Sequence, residues 1–328
     1  MIVLGLETSC DETSAAIVKD GHKVLSCAIA SSLAFHKKYG GVIPEIASRM
    51  QLETIAGITK SAIKDAGIRL KEIDLISVTS APGLVGSLLV GIAFAKALGL
   101  AWDKPVLGIN HVHSHFYANF LSGEKIKLPF IALVVSGGHT SLFYVRDFDK
   151  IELLGQTRDD ACGEAFDKVA KILGLGYPGG PAIEKIAKNA GPGKIRFNCS
   201  GGRDGLDFSF SGIKTAVLYY VKDRKPESRR QKADIAAGFQ EAVLNTLVAK
   251  SLLACRLKKI NRLVIGGGVA ANRRLREKFD RAAKEHKLKC YFPESALCMD
   301  NAAMIAGLGY RLFKKGRRSG SDLTVDLN

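Results

Sequence analysis

Cysteine patterns that would build a rigid small domain are missing from this chain. Its seven cysteines are odd in number and scattered, and no two of them form a C-x-x-C pair. Neither a disulfide framework nor a cysteine-based zinc knot is therefore expected. The cysteines lie at positions 10, 27, 162, 199, 255, 290 and 298.

Long hydrophobic runs are also missing. No uninterrupted apolar stretch reaches the roughly 18 residues that a membrane span needs. The first six residues run directly into Glu7, with no basic segment and no cleavage site of the kind that signal peptides carry. We therefore expect a soluble, cytoplasmic protein with no membrane partner.

Negative charge is scarce. The chain has 48 lysines and arginines against 32 aspartates and glutamates, a formal net charge of +16. Such an excess indicates a polyanionic partner, and nucleic acid is favoured over a lipid surface or a role in solubility alone. The basic clusters are individually ordinary solvated faces, so only their sum supports binding to a phosphate backbone.

Two common catalytic motifs are absent. There is no G-x-x-x-x-G-K-[ST] loop, so any nucleotide is bound in some other way. There is no H-E-x-x-H either, because Val112 and Ser114 stand inside the histidine pair and no glutamate is available as the general base of a metallopeptidase.

A duplicated α/β plan is what the sequence does contain. Three short β-prone runs at 2–6, 14–19 and 24–30 are matched by three more at 130–135, 140–146 and 151–156, and each set leads to helices and a buried strand. A chain of 328 residues exceeds what one core usually holds. We predict two lobes around a central cleft, 1–125 and 126–328, with a helical insertion at about 163–225 and a final helix near 300–313.

Three of the seven histidines fall within residues 110–115. His111 and His115 are four residues apart, so on a helix both rings lie on one face and suit a shared metal ion. Asp300, in a second polar cluster, can supply a carboxylate as third ligand. The alternative is a polar helix start with solvated imidazoles.

Two glycine turns stand at predicted strand ends, at 134–140 and 266–272. Glycine turns of this kind commonly end strands without binding anything. Their pairing on the two halves of a duplicated fold nevertheless favours a nucleotide held in the cleft. Asp167 and Glu184 precede or open amphipathic helices, where capping is the simpler interpretation of both.

Eight motifs together resemble the bacterial branch of the tRNA threonylcarbamoyladenosine-modifying family, once mislabelled a glycoprotease. The resemblance covers nearly the whole chain and implies the actin-like, sugar-kinase and heat-shock-ATPase fold. The motifs are E-T-S-C-D-E-T at 7–13, Y-G-G-V-I-P-E at 39–45, A-P-G-L-V-G at 81–86, N-H-V-H-S-H at 110–115, V-S-G-G-H-T at 135–140, G-E-A-F-D-K at 163–168, D-F-S-F-S-G-I-K-T at 207–215 and D-N at 300–301.

The resemblance also implies a reaction, in which a threonylcarbamoyl group moves from threonylcarbamoyl-adenylate to the exocyclic amine of the adenosine 3′ to the anticodon, in tRNAs reading codons that begin with A. It implies one divalent ion, Fe(II) or Zn(II), on His111, His115 and Asp300. At the tip of the first hairpin, Glu12 is the preferred candidate base and Asp11 the second. The residues implied for the adenylate are Val134, Val135, Ser136, Gly137, Gly138, Asp167, Gly180, Glu184 and Asn272.

Partners follow from the same resemblance. Bacterial members act on the tRNA anticodon loop and work with a degenerate paralogue of their own fold and a small P-loop ATPase, while a separate synthase makes the adenylate. The competing interpretations are an ATPase or kinase of the same fold, a scaffold that binds nucleotide and tRNA without chemistry, and, least favoured, a metallopeptidase.

Overall fold

The computed structural model describes residues 1–36, 39, 41–190, 193–199, 205–320 and 322–326. Gly40 of the 39–45 motif, residues 191, 192 and 200–204 of the predicted insertion, and the last two residues of the predicted second lobe lie outside the described residues. The chain divides into two compact units. The first comprises Met1–Ile126 with Pro293–Asn328, and the second comprises Lys127–Phe292.

The sheet of the first unit has five strands in the order β3-β2-β1-β4-β5. β1, β2 and β3 form an antiparallel meander, and β4 lies parallel to β1 on one side and to β5 on the other. β1 and β4 are almost continuously buried, as expected of strands that helices cover on both faces. The strands are β1 Ile2–Glu7, β2 Glu12–Lys19, β3 Lys23–Ser31, β4 Leu75–Ala81 and β5 Val106–Asn110.

Four α-helices precede the second unit in the described part of the chain. The longest begins at Pro44 of the 39–45 motif, so proline stands at its first position, where the missing N–H is not needed. The fourth begins directly where β5 ends. The helices are α1 Leu33–His36, α2 Pro44–Asp65, α3 Val85–Trp102 and α4 His111–Tyr117.

The sheet of the second unit repeats the plan of the first. Its order is β10-β9-β6-β7-β8, with an antiparallel meander from β6 to β8 and with β9 parallel to β6 and to β10. The predicted duplication is therefore confirmed as two five-stranded mixed sheets of the same order. The strands are β6 Phe130–Val135, β7 Thr140–Asp147, β8 Lys150–Gln156, β9 Arg262–Gly266 and β10 Lys289–Tyr291.

Helices of the second unit are concentrated between β8 and β9, a stretch that includes the predicted insertion at about 163–225. The 30-residue helix of this group starts with a capping box in which the Ser228 hydroxyl accepts from the Gln231 amide. The helices are α5 Cys162–Ile172, α6 Gly179–Ala187, α7 Ser211–Arg224, α8 Arg229–Lys258 and α9 Arg273–His286.

The final helix, α10, runs from Ala302 to Lys314 and packs against β1, β2 and β4 of the first unit. The predicted second lobe, 126–328, includes this helix. The structure instead groups Pro293–Asn328 with the first unit. Small residues explain the packing. A Cβ on Gly5 of β1 would overlap the backbone oxygen of Ala302, so glycine is what permits this close approach.

Among the described residues, one helix is long and apolar enough to cross a membrane by length and composition, namely α3, with a mean hydropathy of 1.7 over 18 residues. Lys96 interrupts the apolar sequence of α3, and the helix packs against α2 and the strands β1, β4 and β5. One third of this window is buried inside the protein. A core helix passes the same test, so the criterion is weak evidence for a span here.

A prediction follows from Gly267, whose φ of 94° and ψ of 163° lie in a region that glycine alone occupies readily. A Cβ there would overlap the backbone oxygen of Val135. We expect Gly267→Ala to lower the free energy of unfolding by roughly 3 kcal/mol or more, from backbone strain and steric overlap together. Chemical denaturation followed by circular dichroism measures this.

The matched control is Gly67→Ala, because Gly67 also has a positive φ, of 64°, but no atom lies within 4 Å of the added Cβ. That change should cost about 1 kcal/mol, from strain alone. Equal losses for the two variants would contradict the overlap argument.

Candidate metal centre and glycine-turn site

Three parallel strands of the first unit end side by side. β1 ends at Glu7, β4 passes through Thr79 opposite Ile109 of β5, and His111 follows β5 directly. The carboxyl ends of neighbouring parallel strands meet at one edge, which is where α/β proteins place their ligands. The fold therefore gathers a carboxylate, a hydroxyl and an imidazole at this edge.

The two histidines share one face of α4. The Asn110 side chain caps this helix by accepting from the His113 amide at 3.0 Å. The rings of His111 and His115 then lie one turn apart, with their centroids separated by 4.6 Å. Both side chains are buried, so the alternative of solvated imidazoles is excluded for this pair.

Asp300 reaches the same place from the start of α10. Asn301 caps that helix by accepting from the Met304 amide, and the Ala302 amide donates to the Ser14 hydroxyl of β2 at 3.0 Å. These contacts fix Asn301 and Ala302, the two residues that follow Asp300. The Asp300 Oδ1 atom lies 3.4 Å from His115 Nε2 and 3.7 Å from His111 Nε2.

Donor atoms of these three residues all lie within 4.8 Å of one another. Two ligands that hold a zinc-type ion at about 2.1 Å with tetrahedral angles are roughly 3.4 Å apart. The separations of 3.4 and 3.7 Å are close to that value and long for a good hydrogen bond. Two imidazoles and one carboxylate thus fit a divalent ion, although their role as ligands stays a prediction.

His111 is held from its other side by Glu7. The His111 Nδ1–H donates to Glu7 Oε2 at 2.9 Å, and the Ser9 hydroxyl lies 3.2 Å from the same nitrogen. Glu7 is 1% exposed and also accepts from the Thr79 hydroxyl and the Ser9 amide. The sequence analysis missed Glu7 and Thr79. The signal that could have found them is a polar residue at the end of each parallel strand.

Burial and charge act in opposite directions on the His111 imidazole. Burial lowers its pKa, but the carboxylates of Glu7 and Asp300 outweigh burial and raise the pKa to about 9. Burial raises the pKa of Asp300 to about 6, although the charge on His111 opposes the rise. Protons therefore compete with a metal ion for this compact cluster of one imidazole and two carboxylates.

The loop at 8–12 carries the two candidate bases. The Gln51 side chain on α2 donates to the backbone oxygens of Cys10 at 2.8 Å and Glu12 at 3.2 Å, which ties this loop to the helix. Burial, together with the charges of Asp11 and Asp300, raises the pKa of Glu12 to about 9. Glu12 is thus more basic than an ordinary carboxylate, and at neutral pH most of it is protonated. The sequence analysis missed Gln51, which lies 39 residues beyond Glu12 and outside every quoted motif.

In the second unit, the two glycine turns are neighbours because β6 and β9 pair in parallel, with Val134 opposite Gly266. Val134 and Val135 are fully buried strand residues. The Ser136 amide donates to the His139 backbone oxygen, and the Gly163 amide donates to the Ser136 backbone oxygen. Gly137 and Gly138 are exposed. The exposed glycines leave backbone N–H groups available to an anion.

Asp167, Gly180, Glu184 and Asn272 lie on the helices around these turns. Asp167 of α5 accepts from the Gly179 amide at 2.6 Å, next to Gly180. Glu184 of α6 accepts from the Arg273 amide at 3.1 Å. Asn272 caps α9 through the Leu275 amide and donates to Gln240. Asn272 therefore acts as a helix cap, and the carboxylates of Asp167 and Glu184 link neighbouring helices. Substrate contact by these three residues and Gly180 stays a prediction.

Comparison with known proteins assigns the family. A model of the family described as TsaD, tRNA N6-adenosine threonylcarbamoyltransferase, matches residues 23–307. A protein of that name from Clostridium kluyveri is 50% identical over 326 residues, which cover 98% of this chain and 96% of the relative. The chain belongs to this family. A namesake from Caldicellulosiruptor saccharolyticus is also 50% identical, over 97% of this chain and 95% of its own length.

Solved structures agree on the fold at low sequence identity. Full-length HypF in its phosphate- and nucleotide-bound form superposes with a TM-score of 0.63 and 15% identity, over 98% of this chain and 56% of that one. The ROK hexokinase from Thermus thermophilus gives a TM-score of 0.51 and 15% identity, over 97% of this chain and all of that one. These likenesses confirm the predicted actin-like and sugar-kinase type of fold.

We predict that His115→Ala and Asp300→Asn each lower the affinity for a divalent ion by on the order of 100-fold, because each removes one of three converging donors. Zinc titration by calorimetry and elemental analysis of the purified protein measure this. His113→Ala is the control, since His113 stands between the two ligands on α4 and packs beside Phe116. A loss of similar size in the control would contradict the assignment of the ligands.

The pKa of His111 sets a direction for metal binding. Because that pKa is raised to about 9, the imidazole must lose a proton when an ion binds at neutral pH. We expect zinc affinity to rise by roughly tenfold per pH unit between pH 6.5 and 8.5, with proton release. Calorimetry in buffers of different ionisation enthalpy counts those protons, and an affinity independent of pH would contradict the assignment.

Proposed function

We propose that this chain transfers the threonylcarbamoyl group of threonylcarbamoyl-adenylate to the exocyclic amine of the adenosine 3′ to the anticodon, in tRNAs reading codons that begin with A, with release of AMP. The observation that carries the proposal is the convergence of His111, His115 and Asp300 within one unit of a chain that belongs to this family. The names of the relatives support the tRNA substrate.

The glycine turns of the second unit suit the AMP part of the donor. The exposed backbone N–H groups of Gly137 and Gly138 would hold the phosphate, as glycine turns at strand ends do in other nucleotide sites. Ser136, whose own amide donates to the His139 oxygen, would fix the start of the turn. Asp167 and Glu184 offer carboxylate oxygens that could accept from ribose hydroxyls, and Asn272 would contact the adenylate beside them. Val134 and Val135, both fully buried, give the turn a rigid base.

His111, His115 and Asp300 would hold one divalent ion, and their mixed nitrogen and oxygen donors suit Fe(II) or Zn(II). Such an ion supplies Lewis-acid polarisation of the carbamoyl or carboxylate oxygens of the donor. Around it, the chain's own residues keep the imidazoles buried and oriented. Orientation matters because the adenylate is already a mixed anhydride with a good leaving group, so positioning provides much of the rate.

The chemical step forms one bond and breaks another. The adenine N6 attacks the carbamoyl carbon, the bond from that carbon to the phosphate oxygen breaks, and AMP leaves with the electron pair. The proton lost by N6 needs an acceptor, because the amine lone pair is delocalised into the ring and the amine is a weak nucleophile. Glu12, in its ionised form, is the acceptor that we propose, because it lies at the tip of the first hairpin near Asp300, with Asp11 as the second candidate.

The tRNA is the partner that the charge of +16 favours. A base in a single-stranded anticodon loop leaves its stack at low cost, so the target adenosine can reach a buried site. A degenerate paralogue of the same fold and a small P-loop ATPase are the protein partners that we propose, acting in the cytoplasm.

The deciding assay supplies tRNA, synthesised threonylcarbamoyl-adenylate and the partner proteins, and measures both modified nucleoside and AMP. We expect wild type to form both products in equal amounts and Glu12→Gln to lower kcat by about 100-fold or more, because the proton acceptor is removed. His111→Ala should lose most activity.

Ser31→Ala is the matched control for Glu12, since the Ser31 hydroxyl contacts the Glu12 carboxylate only at 3.5 Å. It should stay within a few-fold of wild type. Absence of modified nucleoside with wild type would contradict the proposed function, and ADP release from ATP without tRNA would favour an ATPase or kinase instead.

A further inference from the structure

We propose that Glu7 is a positioning residue for the metal centre. Glu7 fixes the ring orientation and tautomer of His111 so that Nε2 faces Asp300 and His115. The inference rests on the proposed function, because it assigns a role toward the ion that this function uses. It is carried by the hydrogen bond of 2.9 Å between His111 Nδ1 and Glu7 Oε2 in a buried setting.

The first step of the argument is the state of Glu7. Its carboxylate accepts from the Thr79 hydroxyl at 2.6 Å, from the Ser9 amide at 2.5 Å and from His111. Three donors around one buried carboxylate keep it ionised and in a single rotamer.

The second step concerns the two ring nitrogens of His111. An ionised carboxylate at 2.9 Å requires a proton on Nδ1, since a lone pair there would face a negative charge. The neutral ring then carries its lone pair on Nε2, the nitrogen that lies 3.7 Å from Asp300 Oδ1. A carboxylate behind a ligand histidine is a common device in metal sites, where it fixes the tautomer and raises the basicity of the ligand.

The third step explains why Glu7 is held rigidly. Glu7 ends β1, Thr79 lies on the adjacent β4 and His111 follows β5, so the hydrogen-bonded chain crosses three parallel strands. The loop before α3 also contacts this segment. The Leu84 amide donates to the Ser9 backbone oxygen at 2.8 Å, and a Cβ added to Gly83 would lie only 2.7 Å from that oxygen, so the two backbones are in close contact. The 7–9 segment is therefore fixed by its neighbours, independently of any ion.

The test measures zinc affinity rather than transfer activity. We expect Glu7→Gln to lower the affinity 10- to 100-fold, roughly the range seen when the outer partner of a ligand histidine is removed. Thr79→Val should lower it less but measurably, because it removes one donor to Glu7 while leaving the carboxylate in place. An unchanged affinity in Glu7→Gln overturns the proposal.

Thr59→Val is the matched control for Thr79→Val. Thr59 is a buried threonine of α2 at 3% exposure, and its hydroxyl has no hydrogen-bond partner among the described residues. The same substitution there removes the same atoms in the same unit without touching Glu7. A loss of zinc affinity in Thr59→Val equal to that in Thr79→Val means that packing alone is responsible, and overturns the proposal.

A spectroscopic readout covers the case in which Glu7→Gln does not fold. In zinc-loaded wild-type protein, proton NMR with labelled histidine should show a slowly exchanging, far-downfield Nδ1–H resonance for His111, and Thr79→Val should shift it. A proton found on Nε2 instead overturns the proposal. If zinc affinity and this resonance behave as expected while tRNA modification fails, the proposed function is wrong and the role of Glu7 stands.

Discussion

Parallel pairing of β1, β4 and β5 is the constraint on which the candidate metal centre depends. It places the ends of three strands at one edge, so that Glu7 bonds to both Thr79 and His111 although more than 100 residues separate Glu7 from His111. An isolated buried carboxylate or imidazole would be costly. Because the Glu7 carboxylate bonds to both of these side chains, that cost is offset and the orientations are fixed.

The second constraint is the close packing of α10 on β1. Gly5 allows the backbone of Ala302 to approach the strand, and the Ala302 amide then bonds to Ser14 of β2. Asp300 stands two residues before that contact and has little freedom in where its carboxylate points. The fold thus places an oxygen donor beside two nitrogen donors by means of a small residue that is not a ligand itself.

Much of the fold follows from local patterns in the sequence. The six meander strands agree with the predicted runs to within two residues at each end, because alternating or continuous apolar stretches between turn residues determine them. The placement of α10 could not be predicted in this way, since an apolar helix carries no local mark of the sheet that it covers. Its contact depends on Gly5, about 300 residues earlier.

In the candidate site, too, some features follow from local sequence patterns and others depend on contacts between distant residues. The spacing of His111 and His115 predicts two rings on one face, and the structure has them there. Asp300 is predicted from a second polar cluster and from the family resemblance rather than from spacing, because nothing local links positions 111 and 300. Glu7 and Gln51 escaped the analysis for a related reason. Their partners are set by strand order and helix packing, which single-sequence periodicity does not specify.

The order of the two units along the chain has a consequence for synthesis. The second unit is inserted between residues 126 and 293 of the first, so the first sheet is complete long before α10 leaves the ribosome. The two histidines and Glu7 are then in place without Asp300. A chain that stops before residue 300 would therefore carry only two of the three proposed ligands, and full affinity for an ion would require synthesis past that residue.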